Sequence, residues 1–329
     1  MKNQNLIWAI IALALLLGLN AIFTQGFFHV EIREGHLFGS LIDILDNCAP
    51  VALMALGMTL VIATGGIDLS VGSVMAISGA IAALLVNAGW SGPAAMLISL
   101  AAGVVAGLIN GALVAYIGIQ PIVATLILMV SGRGAAQLLT DGQTVPFQNG
   151  FIEHLGSGFF LGLPFSVTLI AITALVIGLL VRRTALGLYL ESVGNSPRAS
   201  RLSGLPVPGM LLFAYAMSGL CAALAGVVAA SDIRSANSNT AGLYAELDAI
   251  LAVVIGGTAL TGGRFVLLGS LVGALLMQAL TTTIYARGVQ MEWTQVVKAV
   301  VILVVCILQS RALREKFLAP LFKKGRASA

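Results

Sequence analysis

What this 329-residue chain lacks most is charge. Asp, Glu, Lys and Arg make up 9% of it, while 59% is hydrophobic and the mean hydropathy is +1.03. Soluble domains carry about 25% charged residues. A chain this poor in charge cannot cover a water-facing surface, so the water-soluble classes are excluded and lipid is the solvent. Cysteine is scarce too: Cys48, Cys221 and Cys306 lie far apart, in or beside apolar segments. They have neither metal-ligand spacing nor a disulfide framework, and read as small core residues. Histidine occurs three times, at His29, His36 and His154, all in polar loops and scattered; no metal site is expected from them. No nucleophile–His–acid set falls within the apolar runs, which argues against an enzyme. Aromatics are 6% of the chain and mostly near helix ends. A sugar site built on stacked rings is therefore not legible, and the composition leaves the substrate open.

What is there is apolar length. Between Asp68 and Arg133 lie 64 residues without one Asp, Glu, Lys or Arg. A bilayer crossing needs about 20 apolar residues, so this stretch holds about three, broken at Asn87–Pro93 and Gly118–Pro121, where Gly and Pro mark turns. The same reasoning along the chain predicts ten helices, near 6–23, 49–64, 69–88, 93–116, 121–139, 161–181, 208–230, 247–262, 265–286 and 294–310. The first follows Lys2, is long for a signal peptide and is followed by no small-residue cleavage site, so it reads as retained. The expected architecture is an all-α polytopic transmembrane bundle forming one domain over 1–329.

Two segments, 49–64 and 247–262, are short: sixteen residues rise about 24 Å. Both end in glycine-rich turns, Thr64-Gly-Gly-Ile-Asp-Leu-Ser70 and Gly256-Gly-Thr-Ala-Leu-Thr-Gly-Gly263. Breaks of this kind line cavities rather than touch lipid. Their likeness fits an internal repeat or two separate uses of glycine. Runs of small residues, such as Ala101–Gly107 and Gly219–Gly226, predict close helix crossings and a protein–protein face.

The formal net charge is +4. The basic residues flank apolar runs instead of clustering with aromatics, which excludes a nucleic-acid binder. With both termini cytoplasmic, 12 of the 17 basic residues fall inside: Lys2, Arg182, Arg183, Arg198, Arg201, Arg264 and the six from Arg311 onward. Arg33, Arg234 and Arg287 fall outside. This bias fixes the expected orientation in an inner membrane, with 182–207 as the largest internal loop, 311–329 as a basic internal tail, and 24–48, 140–160 and 231–246 as external loops.

Within loop 182–207, Asn195-Ser196-Pro197 looks like a helix start and Gly204 a helix stop. A short surface helix with Arg198 and Arg201 is one reading, a plain charged connector the other. Asp68, beside Gly65, Gly66, Thr64 and Ser70, either caps the next helix or meets a sugar at a cavity. Glu246 and Asp248 favour the positive start of their helix, or face a substrate entrance. Arg133, flanked by glycines, pairs with an acid or lines a path; Lys298 snorkels toward the interface. Asn110 bonds across helices or to a sugar.

Several strings resemble one family: Gly65-Gly-Ile-Asp-Leu-Ser-Val-Gly-Ser73, Gly194-Asn-Ser-Pro-Arg-Ala-Ser-Arg-Leu-Ser-Gly204, Glu246-Leu-Asp-Ala-Ile-Leu-Ala-Val-Val-Ile-Gly-Gly257, Gln120–Thr125 and Val296–Val301. They are similar, in order over nearly the whole chain, to the ribose/xylose/galactoside class of ABC importer permeases. Leu37-Phe-Gly-Ser-Leu-Ile-Asp-Ile-Leu and Ala49–Met58 look most like the galactofuranose type. The resemblance implies a pore made by two permease subunits, identical or homologous. Two cytoplasmic ATPases drive it and a periplasmic sugar-binding protein feeds it. It also implies that Asn195–Gly204 is a coupling helix seated on the ATPase, with Gly194 before it and Ala199 and Gly204 as its pattern residues. No GxxxxGK[ST] loop occurs in the chain, so ATP and Mg²⁺ are expected on the partner and no cofactor on this subunit. Two other readings remain: a secondary transporter, for which Asp68 is a thin supply of buried acid, and a related permease for a nucleoside or signalling sugar.

Overall fold

The computed structural model describes residues 4–23, 26–33, 35–288, 293–300 and 303. Helix α1 (Gln4–Phe23) is mostly apolar, with Asn20 near its end bonded to Thr283, and leads to a hairpin of β1 (Glu31–Arg33) and β2 (His36–Phe38). Helices α2 (Ser40–Asn47) and α3 (Ala49–Ala63) follow, bent by 45° where Cys48 joins them and Pro50 opens the second. Then come α4 (Val71–Asn87), α5 (Gly92–Ala112) and α6 (Pro121–Leu139). Helix α5 runs on into a π turn at Leu113–Ile117 and stops at Gly118, whose φ of 78° gives the left-handed end common at helix C-termini. Strand β3 (Thr144–Pro146), α7 (Gly150–Ser157) and a hairpin of β4 (Phe159–Phe160) and β5 (Leu163–Pro164) occupy the next loop. Helices α8 (Phe165–Arg183), α9 (Leu186–Asn195), α10 (Pro197–Leu202) and α11 (Val207–Asp232) complete the middle of the chain. Strand β6 (Ser235–Asn237) pairs antiparallel with β3, and α12 (Ala245–Ile255) and α13 (Leu267–Ala286) follow.

Nine of the ten predicted segments fall on helices over most of their length, and the described start of the tenth, 294–300, is helical. Among the described residues five helices are long and apolar enough to span a bilayer, and the bent pair α2–α3 makes a sixth. Helix α4 and residues 6–22 of α1 are apolar but shorter, and 293–300 are helical. The remainder of the predicted 294–310 helix, Cys306 and the basic tail lie outside the described residues, apart from position 303.

Boundaries moved where local chemistry overrode the apolar run. The predicted 161–181 helix begins at Phe165, because Leu161 and Gly162, both at positive φ, close the β4–β5 hairpin instead. The predicted 247–262 helix stops at Ile255, because Gly256 and Gly257 break it. Loop 24–48 holds a hairpin and α2, and loop 140–160 holds α7, started by Asn149, whose side chain accepts the N–H groups of Phe151 and Ile152.

Helix α3 is the axis of the molecule. Thirteen of its 15 residues are buried, as expected of a helix hydrophobic all round. Its neighbours reach it through small residues. A Cβ on Gly57 would meet the backbone of Ser218 on α11 at 2.8 Å, and Thr59 shares a hydrogen bond with Ser270 of α13 at 2.7 Å. The two small-residue runs pack on each other. A Cβ on Gly103 of α5 would land on the Gly219 carbonyl and the Ala223 methyl of α11, and one on Gly219 would land on the Gly103 carbonyl. In lipid no hydrophobic drive joins helices, so such backbone contact is what holds them together. Cys48 and Cys221 are buried in this core.

Candidate functional site

The two glycine-rich turns meet. Gly263 N–H donates to the carbonyl of Ala63, the last residue of α3, at 2.9 Å, and a Cβ on Gly262 would touch the Gly65 backbone within 3.0 Å. Gly194, at the end of α9, completes the junction: a Cβ there would strike Ala63 O and Gly263 N. The Asn195 side chain lies beside Gly263. Three segments distant in sequence thus share one backbone seam, and no side chain larger than hydrogen fits at its centre.

Helix α10 sits at the edge of this seam. The Ser196 hydroxyl caps it by accepting the N–H of Ala199 at 3.3 Å, and Pro197 fills the first turn, where no N–H is needed. Gly204, at φ +80°, turns the chain away toward α11. Arg198, Ala199 and Arg201 are exposed, and Leu202 is 92% exposed. Helix α9 anchors the unit through Leu190 and Val193, both fully buried.

From the seam the 64–70 turn runs into the bundle. Thr64 is held by its hydroxyl on Val61 O at 2.7 Å, and Gly65 by its φ of +82°. Gly66 passes under Tyr215, whose hydroxyl would lie 2.6 Å from a Cβ there. The Thr125 hydroxyl donates to Ile67 O at 3.2 Å. Broken backbone within a bundle is tolerated where protein, not lipid, satisfies it.

Asp68 follows, 1% exposed. One carboxylate oxygen accepts the Ser70 N–H at 3.0 Å and the Ser70 hydroxyl at 2.6 Å. The other accepts the Ser218 hydroxyl of α11 at 2.7 Å. Asn110 of α5 donates to Ser70 Oγ at 2.8 Å. Ser218 lies about 16 Å along α11 from Val207 at 1.5 Å per residue, so this network is deep. It ties the start of α4 to α5 and α11, while Asn110 Oδ1 and the Tyr215 hydroxyl, both buried, have no hydrogen-bond partner among the described residues. Of the predicted residues, Thr64, Gly65, Gly66, Asp68, Ser70 and Asn110 therefore form one chain of contacts linked to Gly194 and Asn195. Ser218, Thr125 and Tyr215 belong to it too. Thr125 ends a string already tied to the family resemblance, but nothing in the sequence singles out Ser218, which reads as one more small residue, or Tyr215, which reads as an ordinary aromatic.

The other charged candidates lie elsewhere, toward the end of the bundle where β3 pairs with β6. Arg133 donates from Nη1 to the carbonyls of Ser238, at 3.2 Å, and Ala241. It binds loop backbone rather than an acid, although Glu246 acts on it through its charge. Glu246 and Asp248 occupy the first turn of α12; Glu246 Oε2 is buried against Gly72 and has no hydrogen-bond partner among the described residues. Lys298 does not snorkel. Its ammonium bonds Asp248 Oδ2 at 2.8 Å, with side chains 8% and 16% exposed. The sequence hid this partner because Asp248 and Lys298 are fifty residues apart.

At that same end Asp46, Asp232, Asn237 and Thr240 border a cavity of about 220 Å³ whose inner wall includes Gly79 and Gly226. None of these residues was expected at a site. The signal was present in part, because Asp46 and Asp232 stand at the carboxyl ends of α2 and α11, where acids are disfavoured.

Comparison with known proteins supplies the family. Residues 40–306 match the family described as branched-chain amino acid transport system / permease component. The chain is 53% identical over 302 residues to the galactofuranose transporter permease protein YtfT of Escherichia coli K12, covering 92% of this chain and 89% of that one. It is 41% identical over 314 residues to the fructose import permease protein FruF of Bifidobacterium longum (94% and 88%). It is 37% identical over 309 residues to the ribose import permease protein RbsC of Escherichia coli K12 (92% and 93%). No solved structure matches the chain significantly. A multi-pass helical bundle with this seam, similar over nine-tenths of its length to sugar-import permeases, belongs to the permease family of ABC transport systems.

Proposed function

We propose that this chain is the membrane permease of an ABC importer for a monosaccharide, with a galactofuranose-type sugar first in order, then ribose- or galactose-like sugars. The relatives' substrates support the sugar class, and the 53% identity to a galactofuranose permease supports the order. The subunit carries no ATP; separate ATPases bind ATP and Mg²⁺. A second permease, identical or homologous, completes the pore, and a periplasmic binding protein delivers the sugar. The basic residues Arg182, Arg183, Arg198, Arg201 and Arg264 cluster near the α10 end of the chain's loops, which supports placing that end in the cytoplasm of a bacterial inner membrane.

The observation that carries this reading is the seating of α10. An exposed, capped helix is joined through Gly194 and Asn195 to both glycine-rich turns, and through the 64–70 turn to the Asp68 network. Closure of ATPases bound to Asn195–Gly204 would push on this seam. A seam without side chains transmits displacement instead of absorbing it, because packed backbone has no rotamer to yield. The force then reaches α4, α5 and α11 together, as rigid rocking about a central passage requires. In this reading Arg133, Glu246 and Asp248 brace the far end of the passage.

The test is purification of the tagged chain with its co-expressed neighbours. An ATPase should copurify, and its hydrolysis should rise when the binding protein is added loaded with sugar. Recovery of the chain without an ATPase, from membranes in which the neighbours are expressed, contradicts the reading.

A further inference from the structure

The Asp68 network holds two polar atoms that fold stability does not explain. The amide oxygen of Asn110 on α5 and the hydroxyl of Tyr215 on α11 belong to side chains with no exposed surface, and neither has a hydrogen-bond partner among the described residues. Stranding one buried polar group is costly, and here two stand in one place. A Cβ on Gly107 would strike the Tyr215 carbonyl, and one on Gly111 would meet the Tyr215 Cβ at 3.3 Å. Helix α5 therefore lies on α11 on both sides of Asn110. The Tyr215 hydroxyl rests against Gly66, two residues from Asp68, and the charge of Asp68 reaches it. Turning the side chains over relieves neither atom. Ser70 Oγ gives its hydrogen to Asp68, so it can only accept from Asn110; this holds the amide nitrogen toward Ser70 and the oxygen away. The Tyr215 ring is packed in one cluster with Leu56, Leu60 and Val61 of α3, which fixes where its hydroxyl stands.

The chemistry of the two atoms selects their partner. Asn110 Oδ1 only accepts, whereas the Tyr215 hydroxyl has a hydrogen to give. Their complement accepts from one and donates to the other. A metal cation would approach both oxygens but leave the Tyr215 hydrogen unspent, and an ammonium has no lone pair to take it. A sugar hydroxyl has the right polarity but brings a ring with it, and both side chains are sealed from the surface. A single water fits. It takes the Tyr215 hydrogen, gives one of its own to Asn110 Oδ1 and turns the other toward the Asp68 carboxylate, in keeping with the roughly three hydrogen bonds of a buried water. We infer that α5 and α11 are joined beneath the 64–70 turn by one internal water, held between Asn110 and Tyr215 beside Asp68. This water makes the polar network continuous from the turn to both helices. The inference rests on the geometry of the network and stands apart from the importer reading.

Tyr215→Phe keeps the ring and removes the hydroxyl. In the full chain, purified in detergent, the midpoint of thermal unfolding should fall by about 2–4 °C, the scale of one lost hydrogen bond. A hydroxyl without a partner gives the opposite, an unchanged or higher midpoint, and that result overturns the proposal. In an Asn110→Ala background the bridge is already cut, so Tyr215→Phe should cost much less there; an equal cost in both backgrounds also overturns it. X-ray radiolysis, which turns bound water into hydroxyl radical, reads the wild-type chain directly and decides if either variant fails to fold. Tyr215 should be oxidised despite its burial, and a Tyr215 left unmodified contradicts the site. A midpoint that rises with sodium or potassium relative to choline at equal ionic strength, in the wild type but not in Tyr215→Phe, assigns the place to a cation and overturns the water.

Discussion

At the scale of single residues, one buried and one half-buried carboxylate, Asp68 and Asp248, show how charge is kept inside this bundle. Among the described residues no cation lies beside Asp68; hydroxyls and one backbone N–H fill its lone pairs, from Ser70 and Ser218. Ser218→Ala leaves one oxygen empty. It should cost about 1–2 kcal/mol, the upper range for a hydrogen bond between membrane helices, read as a lowered midpoint of unfolding in detergent. No change in that midpoint would remove Ser218 from the network. Asp248 is satisfied differently, by Lys298. Lys298→Met strands the carboxylate and should destabilise by about 3–5 kcal/mol, whereas the double variant Lys298→Met/Asp248→Leu should recover most of the loss. A double variant as unstable as the single one would show that the pair matters for packing and not for charge.

At the scale of elements, what the sequence disclosed depended on whether the chemistry was local. Helix α10 was legible because its signals are adjacent: Ser196 and Pro197 start it, Gly204 ends it, and the structure places it at Pro197–Leu202. The apolar helices were legible from length. The stop of α12 was half legible, since Gly256–Gly263 read as a turn although the helix was drawn to 262; the β4–β5 hairpin was not, because a glycine in an apolar run reads equally as a packing residue or a break. The convergence of the turns at 65 and 262 with Gly194 was beyond reach for another reason. Likeness of two segments suggests a repeat, but only three-dimensional packing puts them in contact. This element carries the coupling prediction. Space surrounds Gly204, yet its φ of +80° strains any residue with a Cβ. Gly204→Val should therefore leave the protein inserted and bound to its ATPase while separating ATP hydrolysis from sugar uptake. Normal accumulation in that variant would argue against α10 as the coupling element. Gly219→Val, by contrast, drives a side chain into the Gly103 backbone and should sharply reduce the amount of folded protein recovered from the membrane.

At the scale of the whole molecule, the design is a buried axis, α3, wrapped by helices that touch through glycine and alanine. One end of the bundle carries a capped, basic, exposed helix; the other carries ion pairs, short strands and a small cavity. Contact between the ends runs through the broken backbone at 64–70 and its hydrogen bonds. Such a body has rigid parts and a defined place to push, and its sequence holds no GxxxxGK[ST] loop. Its central claim is that transport needs an outside engine. Uptake of labelled sugar into vesicles measures this directly, comparing the purified chain alone, under sodium and proton gradients, with the chain assembled with ATPase and binding protein and supplied with ATP. The account predicts uptake only in the assembled, ATP-supplied vesicles. Gradient-driven uptake by the chain alone would contradict it.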